Sequence, residues 1–238
     1  DQTAFHPLTG GVACDIGYLA KGDVKYKVVR VEINRETKEI AHVLETEADL
    51  KQGDAVILGV SGGPDSMSLF DVIMRWSKEA EGDIKVVVAH VNHGIRALAA
   101  ERDESFVRAA AQKYGCPFEF KRVRLAGKRS QEETGRNIRR AFFESLLKKY
   151  GGRFILTAHT ADDQAETIVF NFLRGCGPAG LAGMNVLNGV YFKPFLGIFK
   201  SKILAYCKER RLKFQLDCTN MDTKYSRNFI RHKLLPLF

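Results

Sequence analysis

From residue 55 onward the chain alternates short apolar runs with longer segments in which apolar residues recur every three or four positions. The runs are AVILGV (55–60), KVVVAHV (85–91), FEFKRV (118–123) and FILTAH (154–159). Apolar runs of this length predict strands buried on both faces, and each is followed by a helix-like stretch. Over residues 131–149, Ile138, Phe142 and Leu146 recur at every fourth position, which predicts one buried helix face, with Arg139, Arg140 and Lys149 mostly elsewhere. Strands alternating with helices predict an α/β fold with a doubly wound parallel sheet.

Residues 1–50 follow another pattern. TGG (9–11), AKGD (20–23) and NRET (34–37) are turn signals that separate valine-rich stretches such as VKYKVVRVEI (24–33), predicting a small antiparallel β unit. The change of periodicity puts a boundary near Gly53–Asp54. Residues 1–54 are therefore expected as a small N-terminal β appendage and 55–238 as the main domain.

Charge sharpens this picture more than composition does. The hydrophobic fraction of 45% and charged fraction of 27% are ordinary for a globular protein. No apolar run approaches the roughly 18 residues of a membrane span, and the start does not resemble a signal peptide, so a cytoplasmic protein with no membrane partner is expected. The net charge of +9 is uneven: residues 1–54 carry −3 and the remainder +12. That excess favours a polyanionic partner. Residues 200–233 are densest, with ten Lys/Arg and three acids. The cysteines Cys14, Cys116, Cys176, Cys207 and Cys218 are odd in number and never form C-x-x-C. They predict small buried hydrophobes in a reducing compartment and no zinc or other metal-thiolate site.

The candidate chemistry begins at Ser61-Gly62-Gly63-Pro64-Asp65-Ser66, which follows an apolar run directly and opens a helix containing Leu69, Phe70 and Ile73. Glycines at a strand-to-helix turn let the backbone approach a ligand, and free N–H groups at a helix N-terminus attract anions. A plain glycine turn capped by Ser66 is the competing reading. The loop is not a Walker A motif, because no G-K-[ST] is present.

The S-G-G-x-D-S pattern resembles the PP-loop of enzymes that split ATP between the α and β phosphates. HVNHGIR (90–96), EETGRNIRR (132–140), AHTADDQAETIVFNFLRGCGPAGLAGM (158–184) and DCTNMDTKYSRNFIRHKLLP (217–236) are similar, in the same order, to segments of the tRNA(Ile)-lysidine synthases. The resemblance covers about residues 55–238. It implies a PP-loop, adenine-nucleotide-hydrolase-like fold and a ligase that uses ATP to adenylate an anticodon cytidine of a CAU-reading isoleucine tRNA. The amine of L-lysine then displaces AMP. Longer members continue past the point matching Phe238 into domains that grip tRNA. Thr160 stands where many members have a second histidine, and Lys193-Pro194-Phe195 replaces a commoner Arg-Pro-Leu.

On this resemblance Ser61, Gly62, Gly63, Pro64 and Ser66 are expected to cradle the phosphates of ATP, with Asp65 and Asp163 holding Mg²⁺. Asp65, Arg136, Asp163 and Glu166 are the expected catalytic residues. Asp163 and Glu166 share a face if 161–174 is helical; they could hold metal, bind the ammonium of lysine or take its proton, or be a solvated acidic helix start. Arg136 could steady the triphosphate or the tRNA backbone, or be surface charge. His90 and His159 fall at strand ends and are assigned to ATP; Asn92, His93 and Arg96, with Gly94, are assigned to the cytidine entrance. Arg227, Asn228 and Arg231 are expected on an RNA-phosphate surface, with a solvated helical face as the alternative.

DQTAFHPLTGGVACDIGYL at the start resembles the opening of an alanyl-tRNA synthetase editing domain, and His42 fits too. The match ends near Gly53-Asp54, before that family's zinc ligands, so no separate active site is expected there. Two other readings stay open for the main domain: a PP-loop tRNA thiolase, which the absence of C-x-x-C disfavours, and a non-catalytic tRNA- or nucleotide-binding module.

Overall fold

The computed structural model describes residues 17–21, 24–33, 40–44, 53–79, 84–92, 97–123, 131–215 and 226–237. The chain divides into two compact units, Asp1–Asp49 and Leu50–Phe238. His93 and Arg96 lie outside the described residues, as do His6, Cys14 and Cys218.

In the first unit, β1 (Gly17–Lys21), β2 (Val24–Ile33) and β3 (Ile40–Leu44) form an antiparallel sheet in the order β1-β2-β3. Gly17 pairs with Val28, and Ile33 with Ile40. The valine-rich stretch read from sequence is the central strand.

The second unit runs β4 (Ala55–Gly59), α1 (Pro64–Glu79), β5 (Lys85–Asn92), α2 (Ala97–Lys113), β6 (Phe118–Arg122), α3 (Gln131–Lys149) and β7 (Gly152–Leu156). It continues with α4 (Ala161–Leu173), α5 (Pro178–Leu181), β8 (Leu187–Asn188), β9 (Tyr191–Phe192), α6 (Lys200–Glu209) and α7 (Ser226–Phe229). A π-helical turn, Ile230–Leu234, extends α7. The sheet order is β6-β5-β4-β7-β9-β8, parallel throughout except for the edge strand β8. The chain leaves β4 for β5 and β6, then returns to the other side of β4 for β7. That reversal opens a crevice beyond the carboxyl ends of β4 and β7, where ligands of open α/β sheets bind.

The pleat sorts the strand residues into two cores. Val56, Leu58, Val86, Val88 and Leu156 face Leu69, Phe70, Ile73 and Val107 of α1 and α2, while Ile57, Val87, Ala89 and Ile155 face α3. Each fully buried aliphatic or aromatic side chain contributes about 1.5–3 kcal/mol. Among the described residues of α3 the buried apolar side chains are Phe143 and Leu146, with Phe142 and Leu147 at the margin. The fourth-residue spacing put Ile138, Phe142 and Leu146 on one buried face; a row of fourth residues drifts around a helix of 3.6 residues per turn, so Ile138 and Phe142 are only half-buried and Phe143 joins Leu146 in the core. Its ring closes against Gly59, where an added Cβ would come within 2.9 Å. The small residue thus lets α3 seat directly behind the phosphate-loop strand.

Helix α6 is fastened to α1 by Asp71, which accepts bonds from Tyr114 (2.7 Å) and Tyr206 (2.6 Å), with Arg210 at 3.7 Å. Ser68 and Cys207 add a buried contact of 2.9 Å between the same helices. Fixing α6 in this way brings its first residue, Lys200, to the crevice.

Candidate functional site

The loop after β4 is held open by its own serines. Ser66 Oγ accepts from the backbone N–H groups of Ser61 and Gly62, each at 3.2 Å, and donates to the Gly63 carbonyl at 3.1 Å. The first helical bond of α1 follows, from Met67 N to Gly63 O. Gly62 adopts φ +95, which an L side chain would strain, and sits against Phe106 and Val107 of α2. Gly63 is different: among the described residues beyond its two chain neighbours, a Cβ there would meet Ser61 Oγ alone within 4 Å, at an ordinary contact distance of 3.6 Å. His90, buried at the end of β5, bonds through Nδ1 to the Val60 carbonyl at 2.8 Å and thereby fixes the entry to the loop. This is a bracing position behind the loop.

Asp65 lies in the first turn of α1 and is half-buried. Its Oδ2 pairs with Lys200, while Oδ1 is buried and has no hydrogen-bond partner. Burial raises the Asp65 carboxyl above its ordinary range; Lys200 opposes the shift and the nearby Asp163 adds to it. Lys200 is itself anchored, its backbone N–H donating to Asp162 at 2.7 Å.

Asp163 arrives from the other side of the crevice, in the first turn of α4. Thr160 caps this helix: its Oγ1 accepts from Asp163 N at 3.3 Å, and Asp163 Oδ2 accepts from Thr160 N at 2.9 Å. The threonine therefore has a structural use in the position where many members of the resembling family have a second histidine. Glu166 lies one turn on and is 1% exposed. The guanidinium of Arg231 grips it bidentately, Nε to Oε1 at 2.5 Å and Nη2 to Oε2 at 3.1 Å, and reaches Asp163 Oδ1 at 3.5 Å. Burial works against the Arg231 charge, but Glu166, Asp163 and Asp65 outweigh it and raise the group.

Three carboxylates from two helices thus converge with Lys200 and Arg231 beside the phosphate loop. Arg231 was expected on an RNA-phosphate surface; it instead turns inward to the acids. Among the described residues no three His, Cys, Asp or Glu form a cage for a metal. The donor set fits a hard cation held partly by its ligand: one buried carboxylate oxygen is unsatisfied, and a second carboxylate stands near.

His159 bonds Thr157 Oγ1 through Nδ1 at 2.9 Å. Burial pulls its imidazole down to about 4; Asp163 opposes that, and the charges of Arg139, Lys193 and Arg136 reinforce it. It is neutral at pH 7. Arg136 is exposed on α3, on the side that His159 senses. Asn92 is buried and donates to Glu104 of α2 at 3.4 Å, joining strand to helix. Asn228 is half-buried. The side chain of Arg227 is outside the described residues. Sequence reasoning missed Lys200, whose partner lies far away along the chain; only its place in the basic stretch hinted at it.

The PP-loop domain family model matches residues 31–238. The tRNA(Ile)-lysidine synthase of Clostridium acetobutylicum is 37% identical over 83% of this chain, and that of Chlorobaculum tepidum 38% over 86%. That of Geobacter sulfurreducens is 39% identical over 78%. The chain spans 44%, 63% and 40% of these three relatives, so it matches about half of their length. Among solved structures, the U34-tRNA thiolase NcsA from Methanococcus maripaludis superposes with a TM-score of 0.59 at 18% identity, covering 81% of this chain and 74% of its own. At that identity the likeness is one of fold. With the loop, the switch-point acids and the family match in agreement, the chain belongs to the PP-loop family of ATP-utilising domains.

Proposed function

We propose that residues 55–238 are the adenylating domain of a cytoplasmic tRNA(Ile)-lysidine synthase, acting on ATP, L-lysine and an isoleucine tRNA with a CAU anticodon. The observation that carries this reading is the convergence of Asp65, Asp163 and Glu166 at the end of a loop shaped to take phosphates. The relatives named lysidine synthases support it over most of the chain.

In this reading the backbone N–H groups and hydroxyls of residues 61–66 hold the β and γ phosphates at the positive end of α1. Asp65 and Asp163 would hold Mg²⁺, which supplies charge neutralisation on the phosphates when bound. Lys200 then leaves Asp65 and turns its ammonium to the same phosphates. The cytidine C2 oxygen attacks the α-phosphorus and pyrophosphate departs, giving an AMP ester. The lysine side-chain amine attacks C2 and AMP leaves with the oxygen.

That amine must first lose a proton, and the acid cluster is suited to bind it as ammonium and accept the proton as it attacks. Neutral His159 lies within the field of Asp163 and of the exposed Arg136. Arg136 is assigned to phosphate, and Arg227 and Asn228 to RNA. His93 and Arg96 are assigned to the cytidine entrance. Residues 1–54 are a zinc-free β appendage in this account; stoichiometric zinc in purified protein, with deacylation of mischarged alanine tRNA, would overturn that part.

The test is ATP–pyrophosphate turnover with CAU-anticodon tRNA, with and without lysine. Transfer to tRNA that requires lysine supports the reading, and sulfur incorporation in its place sinks it.

A further inference from the structure

Away from the phosphate site, the edge strand β6 carries an ordered set of rings and guanidinium groups. Phe118 and Phe120 lie on one face of the strand with centroids 5.9 Å apart and planes inclined by 13°. Arg108 of α2 covers both, its Cζ 4.6 Å from the Phe118 ring centre and 4.8 Å from that of Phe120. Arg122 lies 5.6 Å from the Phe120 centre.

Both guanidinium groups are held from behind by Glu104. Arg122 donates to it through Nε at 3.0 Å and Nη2 at 3.2 Å, and Arg108 through Nη2 at 3.1 Å. Glu104 is 4% exposed, whereas the Arg108 and Arg122 side chains are 49% and 62% exposed and Phe120 is 40% exposed. The negative charge is buried, and the two guanidinium groups and the Phe120 ring are each partly open to solvent. An open aromatic ring on an edge strand invites unwanted pairing, which proteins ordinarily avoid. Exposed cation–π contacts repay only about 0.5–1 kcal/mol each.

The register relates this set to the phosphate loop. Glu119 pairs with Ala89, which pairs with Gly59, and Arg122 pairs with Asn92. Phe120 to Arg122 are therefore level with the residues that follow β4, two strand spacings away, or about 10 Å. On the opposite face of β6, Lys121 lies 6.0 Å from the Phe142 ring centre and continues the positive rim.

We propose that Phe120, flanked by Arg108 and Arg122, is a stacking shelf for an unpaired RNA base near the reacting nucleotide, with the same arginines drawing the adjoining phosphates. The proposal rests on tRNA being the polymer substrate, and adds where its flanking nucleotides lie. Aromatic rings and guanidinium planes accept any base by its π-face, and the +12 charge of residues 55–238 complements a polyanion.

The chain has one tryptophan, Trp76, so a Trp76→Phe, Phe120→Trp double variant of the full chain reports from the shelf alone. Titration with a CAU anticodon stem-loop RNA is expected to quench this fluorescence strongly. Phe120→Ala should weaken stem-loop binding by roughly tenfold or more, with ATP affinity unchanged. Arg122→Lys, which keeps the charge beside Glu104 but loses the plane, should weaken it by a smaller factor at an unchanged melting temperature. Wild-type affinity in Phe120→Ala, or an unquenched reporter while anisotropy shows the RNA bound, overturns the shelf and leaves the function standing. No stem-loop binding by the unaltered chain overturns both.

Discussion

Asp65 and Asp71 stand on the same helix and have opposite uses. Asp71 is 5% exposed, and each of its oxygens accepts a tyrosine hydroxyl, with Arg210 close by. Burial and Asp71 together push the Tyr114 phenol up to about 12, so it remains a donor at any physiological pH. Asp65 has Lys200 on one oxygen and nothing on the other, which is buried. A carboxylate whose bonds are complete fastens helices together. One left incomplete at a switch point marks where a ligand supplies the rest.

The largest expected effect tests the acids that face Asp65. Arg231→Ala leaves Glu166 buried without its guanidinium and should cost about 3 kcal/mol of folding stability in a urea titration. Adding Glu166→Gln should recover most of it. A surface role for Arg231 predicts no such loss. Next, Asp65→Ala should lower modification by at least about 100-fold, about 2.7 kcal/mol of transition-state stabilisation, with little change in melting temperature. Asp163→Ala should match it in rate but also lose about 1 kcal/mol of stability, because Asp163 completes the cap of α4.

Asp71→Ala reverses the pattern. It removes the acceptor shared by two partly buried tyrosine hydroxyls and should cost about 1–2 kcal/mol of stability, while the rate per folded molecule stays near normal. If Asp71→Ala abolished turnover without unfolding, the division between the two aspartates would fail.

Much of the fold was legible because buried parallel strands write themselves as unbroken apolar runs, as AVILGV and KVVVAHV do. The hairpin of β8 and β9 was not, since strands of two residues are shorter than any period. Asn92 shows a second limit. At a strand end beside His93 it read as part of an entrance, but its burial against Glu104 depends on how α2 folds back. The Lys200–Asp65 pair and the Arg231–Glu166 pair join distant parts of the chain, and no local pattern encodes either. The loop and the acids could be found because their spacing is local.

The smallest expected effect is on pH dependence. The His159 imidazole is held down to about 4 in the fold, against about 6.5 when unfolded, so the unfolded chain binds the extra proton between these values. Stability should rise with pH from about 4 to 6.5 and be flat above for this group. Replacing His159 with glutamine should remove that slope from a series of urea titrations.

The central claim is that residues 61–66 receive the phosphates of ATP and place them beside Asp65. Gly63 allows a direct test, because among the described residues beyond its chain neighbours a Cβ added there would meet Ser61 Oγ alone within 4 Å, at an ordinary contact distance of 3.6 Å, and the rest of a valine would enter the space assigned to the ligand. ATP affinity of the full chain should be measured by equilibrium titration for the wild type and Gly63→Val, with melting temperatures alongside. At least a tenfold loss of affinity is expected at an unchanged melting temperature. Unchanged affinity in a folded Gly63→Val protein would contradict it.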